Sequence, residues 1–506
     1  MAILETTISQ GTVRGIPGAN QAVSLFLGIP YAKAPVGELR WKAPLPAEKW
    51  EGVFHADHYG PIPTQTRFAD GSYFQRESYP IELPASEDCL HINVFTPAKI
   101  ANEKLPVALW IYGGAYRRGY ANKLETDGEG FAKRGIVFVS FNYRLNVFGF
   151  LTHPEMKAES TTGSYGNFGT LDQIAALDWV RKNISAFGGD PENITVFGQS
   201  AGAMSCQILT CSDLCRGKIK RAIFESGAGI GGMNDLHETV ESSTCSAEQM
   251  GIRFFEELGV SSLAEARKKS ETDVLEAYIR MEQSITGVLF QPHPDGYILK
   301  ENVSTATLNS HEHDIDYMIG NCSNESSTWI QKPYNPDTEK ACGIIRKKYG
   351  NDANEIICEL EADTPEGAAE YFASGMSNAM RSGTLAWFTY RADAGKKPFF
   401  TYLFTRNVPD HPFGGTPHSG EHMYVFQTLG RSWRHYNGED WDLSNTVANY
   451  WANFIKTGDP NGDGLPAWQP WTNDAPNTMS LNSDCGMVHF PETALLIAER
   501  KHFIGK

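Results

Sequence analysis

The stretch Gly198-Gln199-Ser200-Ala201-Gly202 holds a serine between small residues, after the apolar run Ile194-Thr195-Val196-Phe197 and before the helix-compatible Ala203 to Leu209. That setting is what a nucleophilic serine needs. A sharp strand-to-helix turn brings two backbones together, so positions 198 and 202 have no room for a side chain, and the hydroxyl of Ser200 projects outward. The chemistry is attack on a carbonyl, with the amide of Ala201 aimed at the negative charge that develops on its oxygen.

A second donor loop is expected at the end of another buried strand. Tyr112-Gly113-Gly114-Ala115-Tyr116 follows Val107 to Ile111, and its small residues let the amides of Gly114 and Ala115 approach a substrate. Each donor fixed in advance is worth about 3 to 4 kcal/mol in the transition state. Taken singly, both motifs also describe ordinary glycine turns.

A serine hydroxyl requires a base near neutral pKa, and histidine supplies it. Fourteen histidines compete. The chain order serine, acid, histidine of strand-turn-helix nucleophiles favours a late loop after a strand. His418, among glycines and prolines after Phe399 to Phe404, meets that description, with His411 and His422 as rivals. Three histidines beside Glu421 also raise the question of a metal, but the spacing matches no zinc pattern. An acid between serine and base should also follow a strand. Glu325, in the loop after Tyr317 to Gly320, does so and would orient the imidazole.

The elements that must position these groups are legible as well. Val107 to Tyr112, Ile136 to Phe141 and Ile194 to Phe197 are nearly continuous apolar runs, as strands buried on both faces require. Leu171 to Ile184 carries apolar residues at helical spacing. Strands alternating with helices predict a mostly parallel sheet covered on both faces. The opening segments, Thr12 to Gly15 and Ala22 to Gly28, read as short antiparallel edge strands. From about 230 to 310 and 335 to 390 the chain is charged and helix-forming, which predicts helical excursions that could roof a site. No repeat or linker divides residues 1–506, so one domain is expected.

Together these segments resemble the type B carboxylesterases, the family that includes cholinesterases and cholinesterase-like lipases. The blocks that carry the likeness are Gly28-Ile29-Pro30-Tyr31-Ala32, Glu87 to Val94, Gly113 to Tyr116, Asn142-Tyr143-Arg144-Leu145, Phe187 to Pro191 and the serine turn. The resemblance implies an α/β-hydrolase fold with a large mixed, mostly parallel sheet, and a serine carboxylesterase needing no cofactor or metal. It assigns Ser200, Glu325 and His418 to catalysis and Gly114, Ala115 and Ala201 to the oxyanion contacts. It further implies buried ion pairs Arg40–Glu87 and Arg144–Asp172, a supporting Ser226 behind the catalytic residues, and Phe290, His293 and Trp329 near the acyl side of the pocket. A lipase, an aromatic-acid esterase and a non-catalytic binding protein are the alternatives it leaves. Gln199 departs from the glutamate of cholinesterases, which argues against a cationic substrate. Ala115 stands where many relatives have a third glycine.

Bulk properties bound the reading. The chain has 506 residues, 41% of them hydrophobic, and a formal charge of −16 without a basic cluster, so a nucleic acid partner is not expected. The expected partner is a small-molecule ester, and the oligomeric state is left open. There is no run of about 18 apolar residues to span a bilayer. Nine cysteines in no metal or redox spacing, none before Cys89, and a start at Met1 without a secretory pattern predict a cytoplasmic protein, unless a leader has been removed.

Overall fold

The apolar runs become the middle of one sheet, because strands that present no polar face must be covered on both sides. The molecule is described from a computed structural model that covers residues 2–78, 82–231, 246–285, 287–327, 335–412 and 414–505. Near the N-terminus, β1 (Glu5–Ile8), β2 (Gly11–Arg14), β3 (Ile16–Pro17), β4 (Ser24–Pro30) and β5 (Val53–His55) form short strands. The remaining strands are β6 (His91–Thr96), β7 (Leu105–Ile111), β8 (Val137–Phe141), β9 (Gly189–Gln199), β10 (Arg221–Glu225), β11 (Asp316–Cys322), β12 (Phe399–Phe404), β13 (Asn477–Leu481) and β14 (Gly486–His489).

β1, β2 and β5 make a separate small sheet, while the large sheet has the order β14-β13-β12-β11-β10-β9-β7-β8-β6-β4-β3. From β8 to β13 in that order the strands run parallel, and antiparallel pairs close both edges. Every residue of β8 and β10 is buried. The early segments therefore divide: Gly11–Arg14 leaves for the small sheet, whereas Ser24–Pro30 joins the large one.

The helix read from Leu171 onward begins at Phe168 and ends at Asn183. The first excursion contains helices Ala247–Leu258, Leu263–Lys268, Glu271–Ser284 and Val303–Leu308; the second contains Thr338–Tyr349, Ala353–Leu360, Pro365–Ala373 and Gly375–Asp393. Two buried ion pairs tie loops to this frame. Arg144 grips Asp172 through Nε at 2.7 Å and Nη2 at 2.6 Å. Arg40 meets Glu87 through Nε at 2.6 Å and also donates to the carbonyl of Lys269 at 2.7 Å, which pins the first excursion to the sheet domain.

Candidate active site

At the end of β9 the backbone turns so sharply that Ser200 adopts φ 57° and ψ −128°. This is a conformation that L-residues populate only when their surroundings impose it. The surroundings here are other backbones. A Cβ at position 198 would lie 2.5 Å from the carbonyl oxygen of Ile111, and one at 202 would collide with the same oxygen. The Ser200 amide donates to the Glu225 carbonyl at 2.8 Å, so β10 holds the turn from the other side.

The adjoining loop is equally constrained. Gly114 has φ 125° and Ala115 φ 54°, and a Cβ at Gly113 would run into the Gln199 carbonyl. The Gly114 carbonyl accepts from the amides of Arg117 and Arg118 at 3.0 and 3.1 Å, which closes a tight turn. Gly114 and Ala115 open on the same cavity as Ser200. Ala201 is the first residue of the helix Ala201–Cys211, where backbone amides have no partner within the helix and carry its positive end.

The two loops that carry Glu325 and His418 are stitched together. Asn324 N–H donates to the Thr416 carbonyl at 2.9 Å, and Thr416 N–H donates to Ser323 Oγ at 2.9 Å. That zipper places His418 Nδ1 2.5 Å from Glu325 Oε2. The other carboxylate oxygen, Oε1, accepts from the amide of Cys322 at 2.7 Å, so Glu325 is buried yet bonded at both oxygens. With Nδ1–H engaged, Nε2 is the acceptor, and it lies 2.9 Å from the amide nitrogen of Gln199. His418 and Ser200 line one cavity.

Behind them sits a residue to which the sequence reading gave no role. Glu421 is fully buried, receives Ser226 Oγ at 3.4 Å and accepts from Cys322 Sγ at 2.8 Å. Burial and the nearby charge of Glu325 push its carboxyl up to about 7. The only signal in the sequence was its place three residues after His418, which does not separate it from a helix-starting glutamate.

The cavity has a volume of about 350 Å³, within the range of small-ligand sites. One wall is aromatic, from Phe68, Tyr73 and Phe74, and Met376 and Met380 of the second excursion complete it. Among the described residues the first excursion contributes no lining residue. Two expectations are therefore corrected. Phe290 packs against Phe254 and Tyr278, with centroids 5.9 and 6.0 Å away, and His293 is held to Asn167, its amide donating to Oδ1 at 3.1 Å. Phe290 faces helices of its own excursion, His293 faces the segment before the helix Phe168–Asn183, and neither is among the residues that line the cavity. Trp329 lies outside the described residues. Of the rival histidines, His411 Nε2 is 2.9 Å from Ser327 Oγ, and His422 lines the cavity. Among the described residues no group of three or more His, Cys, Asp or Glu is arranged to hold a metal ion.

A constrained serine, an imidazole bonded to a buried carboxylate, and small-residue amides at one cavity form an arrangement suited to acyl transfer. The sequence model described as the Carboxylesterase family matches residues 3–494. The para-nitrobenzyl esterase of Bacillus subtilis (strain 168) is 33% identical over 507 residues, which is 96% of each chain. The fumonisin B1 esterase of Sphingopyxis macrogoltabida is 30% identical, covering 90% of this chain and 83% of that one. A solved PNB esterase structure superposes with a TM-score of 0.79 at 30% identity, over 96% of this chain and 98% of the other.

Proposed function

Because the chain belongs to the carboxylesterase family and is a carboxylic ester hydrolase, we propose that Ser200, His418 and Glu325 carry the reaction and that the amides of Gly114, Ala115 and Ala201 receive the oxyanion. The observation that supports this most is the bond from His418 Nδ1 to buried Glu325 at 2.5 Å. It sets the tautomer in which Nε2 can take a proton.

In this mechanism the Nε2 lone pair passes from the Gln199 amide to the Ser200 hydroxyl. Ser200 attacks the ester carbonyl as His418 removes its proton, and the imidazolium returns that proton to the departing alcohol. Water then repeats the sequence on the acyl-enzyme and frees the acid. Glu325 stabilises the imidazolium without becoming protonated itself. Small to medium esters suit a cavity of about 350 Å³. No helix among the described residues is long and apolar enough to cross a membrane.

The test is hydrolysis of p-nitrophenyl acetate and butyrate by wild type and by Ser200→Ala. Hydrolysis that disappears with the hydroxyl is the expected result. Equal rates for both proteins would remove Ser200 from the chemistry.

A further inference from the structure

Glu77, Arg117, Arg118, Lys123 and Glu125 bring charge to the cavity, and their bonding decides which of them can meet a substrate. Lys123 and Glu125 answer each other, with Nζ 3.7 Å from Oε1 and only 9% and 3% of the residues exposed. Glu77 is answered by Arg434, whose Nε and Nη2 donate to its two oxygens at 2.9 and 3.0 Å, and by the indole N–H of Trp433 at 3.0 Å. Both of its oxygens are therefore engaged.

Two guanidiniums then share one carboxylate. Glu282, in the last turn of the helix Glu271–Ser284, meets Nε and Nη2 of Arg117 with Oε1, and the same oxygen accepts from the Tyr278 hydroxyl at 2.8 Å. Arg118 approaches Glu282 only to 3.7 Å, beyond hydrogen-bond length. Its position is fixed all the same: Nε donates to Thr66 Oγ1 at 2.8 Å, and the guanidinium lies over the Phe68 ring, 4.5 Å from the centroid. Neither Nη nitrogen of Arg118 makes a hydrogen bond among the described residues, and neither is sealed from solvent; 20% of the side chain is exposed. A guanidinium tethered through Nε with its Nη pair open presents the planar fork that fits the two oxygens of a carboxylate.

The amides of Arg117 and Arg118 close the turn on the Gly114 carbonyl, so this unanswered positive charge rises from the loop that carries Gly114 and Ala115. The chain as a whole has a formal charge of −16 and would otherwise repel an anion. We propose that Arg118, with Arg117 beside it, binds a free carboxylate of the substrate, so that the preferred esters are half-esters with one anionic arm. This rests on the reading of Ser200 as the nucleophile at the same cavity. Matched substrates show whether the carboxylate belongs to the acyl or to the alcohol arm.

The experiment compares kcat/KM of the wild type, at about pH 8 where carboxylates are ionised, for monoethyl glutarate against ethyl pentanoate and for 4-butyryloxybutanoate against butyl butyrate. In each pair a carboxylate replaces a methyl group. One pair should favour its anionic member by roughly tenfold or more. Read as a ratio within one folded variant, that preference should fall to within about threefold of unity in Arg118→Gln, be partly kept in Arg118→Lys, and rise in Glu282→Gln, which removes the competing carboxylate. Wild-type ratios of one or less in both pairs, with p-nitrophenyl butyrate still hydrolysed through Ser200, overturn the carboxylate site and leave the esterase reading standing. A preference that survives intact in Arg118→Gln overturns it too, as does a preference for butyrylcholine over the anionic esters. Absence of p-nitrophenyl butyrate hydrolysis in the wild type would instead sink the esterase reading, and the carboxylate site with it.

Discussion

The side-chain amide nitrogen of Gln199 lies 2.9 Å from Nε2 of His418, so the residue just before Ser200 touches the proposed base. A carboxylate at this position would favour the imidazolium, whereas the amide carries no charge. Gln199→Glu should therefore move the acidic limb of the kcat/KM profile upward by roughly one pH unit. Its activity at pH 6 would fall relative to the wild type while the plateau at pH 8 changes less. A limb that stays in place would show that the contact has no bearing on the base.

Ser200 pays for its exposed hydroxyl with an unfavourable backbone, φ 57° and ψ −128°, of the kind that costs about 1 to 3 kcal/mol. Glycine adopts that geometry freely, although it gains unfolded-state entropy. Ser200→Gly should be inactive yet more stable than Ser200→Ala, by about 1 kcal/mol in urea unfolding. Equal midpoints would mean that the turn stores no strain.

Glu325 accepts from both His418 and the Cys322 amide. An amide at 325 can present its NH₂ to Nδ1 and so favour the tautomer that cannot accept the serine proton. Glu325→Gln should lower kcat by about 10³ to 10⁴, with near-UV circular dichroism unchanged. A loss smaller than tenfold would assign the orienting role to another group.

Glu421 titrates near 7 in the fold because burial and Glu325 disfavour its charge. Between about pH 4.5 and 7 the unfolded chain releases this proton while the native state keeps it, so the group's contribution to stability falls as pH rises. The full effect is roughly 3 kcal/mol above pH 7. Glu421→Gln, which imitates the protonated form, should match the wild type near pH 4.5 and exceed it in stability at pH 8. Denaturant melts at both pH values test this; a gap that does not grow with pH would contradict it.

Arg144 and Asp172 are both buried and bonded through two guanidinium nitrogens. Arg144→Met should cost about 3 to 5 kcal/mol, since it strands a carboxylate in the interior, and Arg144→Met with Asp172→Leu should recover much of that loss. A thermal-melt cycle over the single and double variants measures the coupling; additive losses would mean that the pair is not a unit.

What the sequence by itself determined was local and steric. Gly198 and Gly202 around Ser200, Gly113 and Gly114 after an apolar strand, and the uninterrupted runs of β7, β8 and β9 each state a backbone requirement that no other residue types meet as well. The order of serine, glutamate and histidine, each after a strand of the parallel sheet, then pointed to Glu325 and His418, because parallel strands bring their C-terminal loops to one edge.

Only the tertiary structure decided which distant side chains meet. Nothing in the spacing brings the Gln199 amide to His418, buries Glu421 against Ser226 and Cys322, or assigns the wall to Phe68, Tyr73 and Phe74. The same holds for Phe290, set among Phe254 and Tyr278 of its own excursion, and for His293, set against Tyr165 and Asn167. Backbone crowding leaves a trace in the chain as glycine, even where the crowding strand is distant in sequence, as Ile111 is for Gly198 and Gly202. The partners of a buried charge or ring come from segments distant in the chain, 28 residues for Arg144 and Asp172 and 219 for Gln199 and His418, and packing selects them.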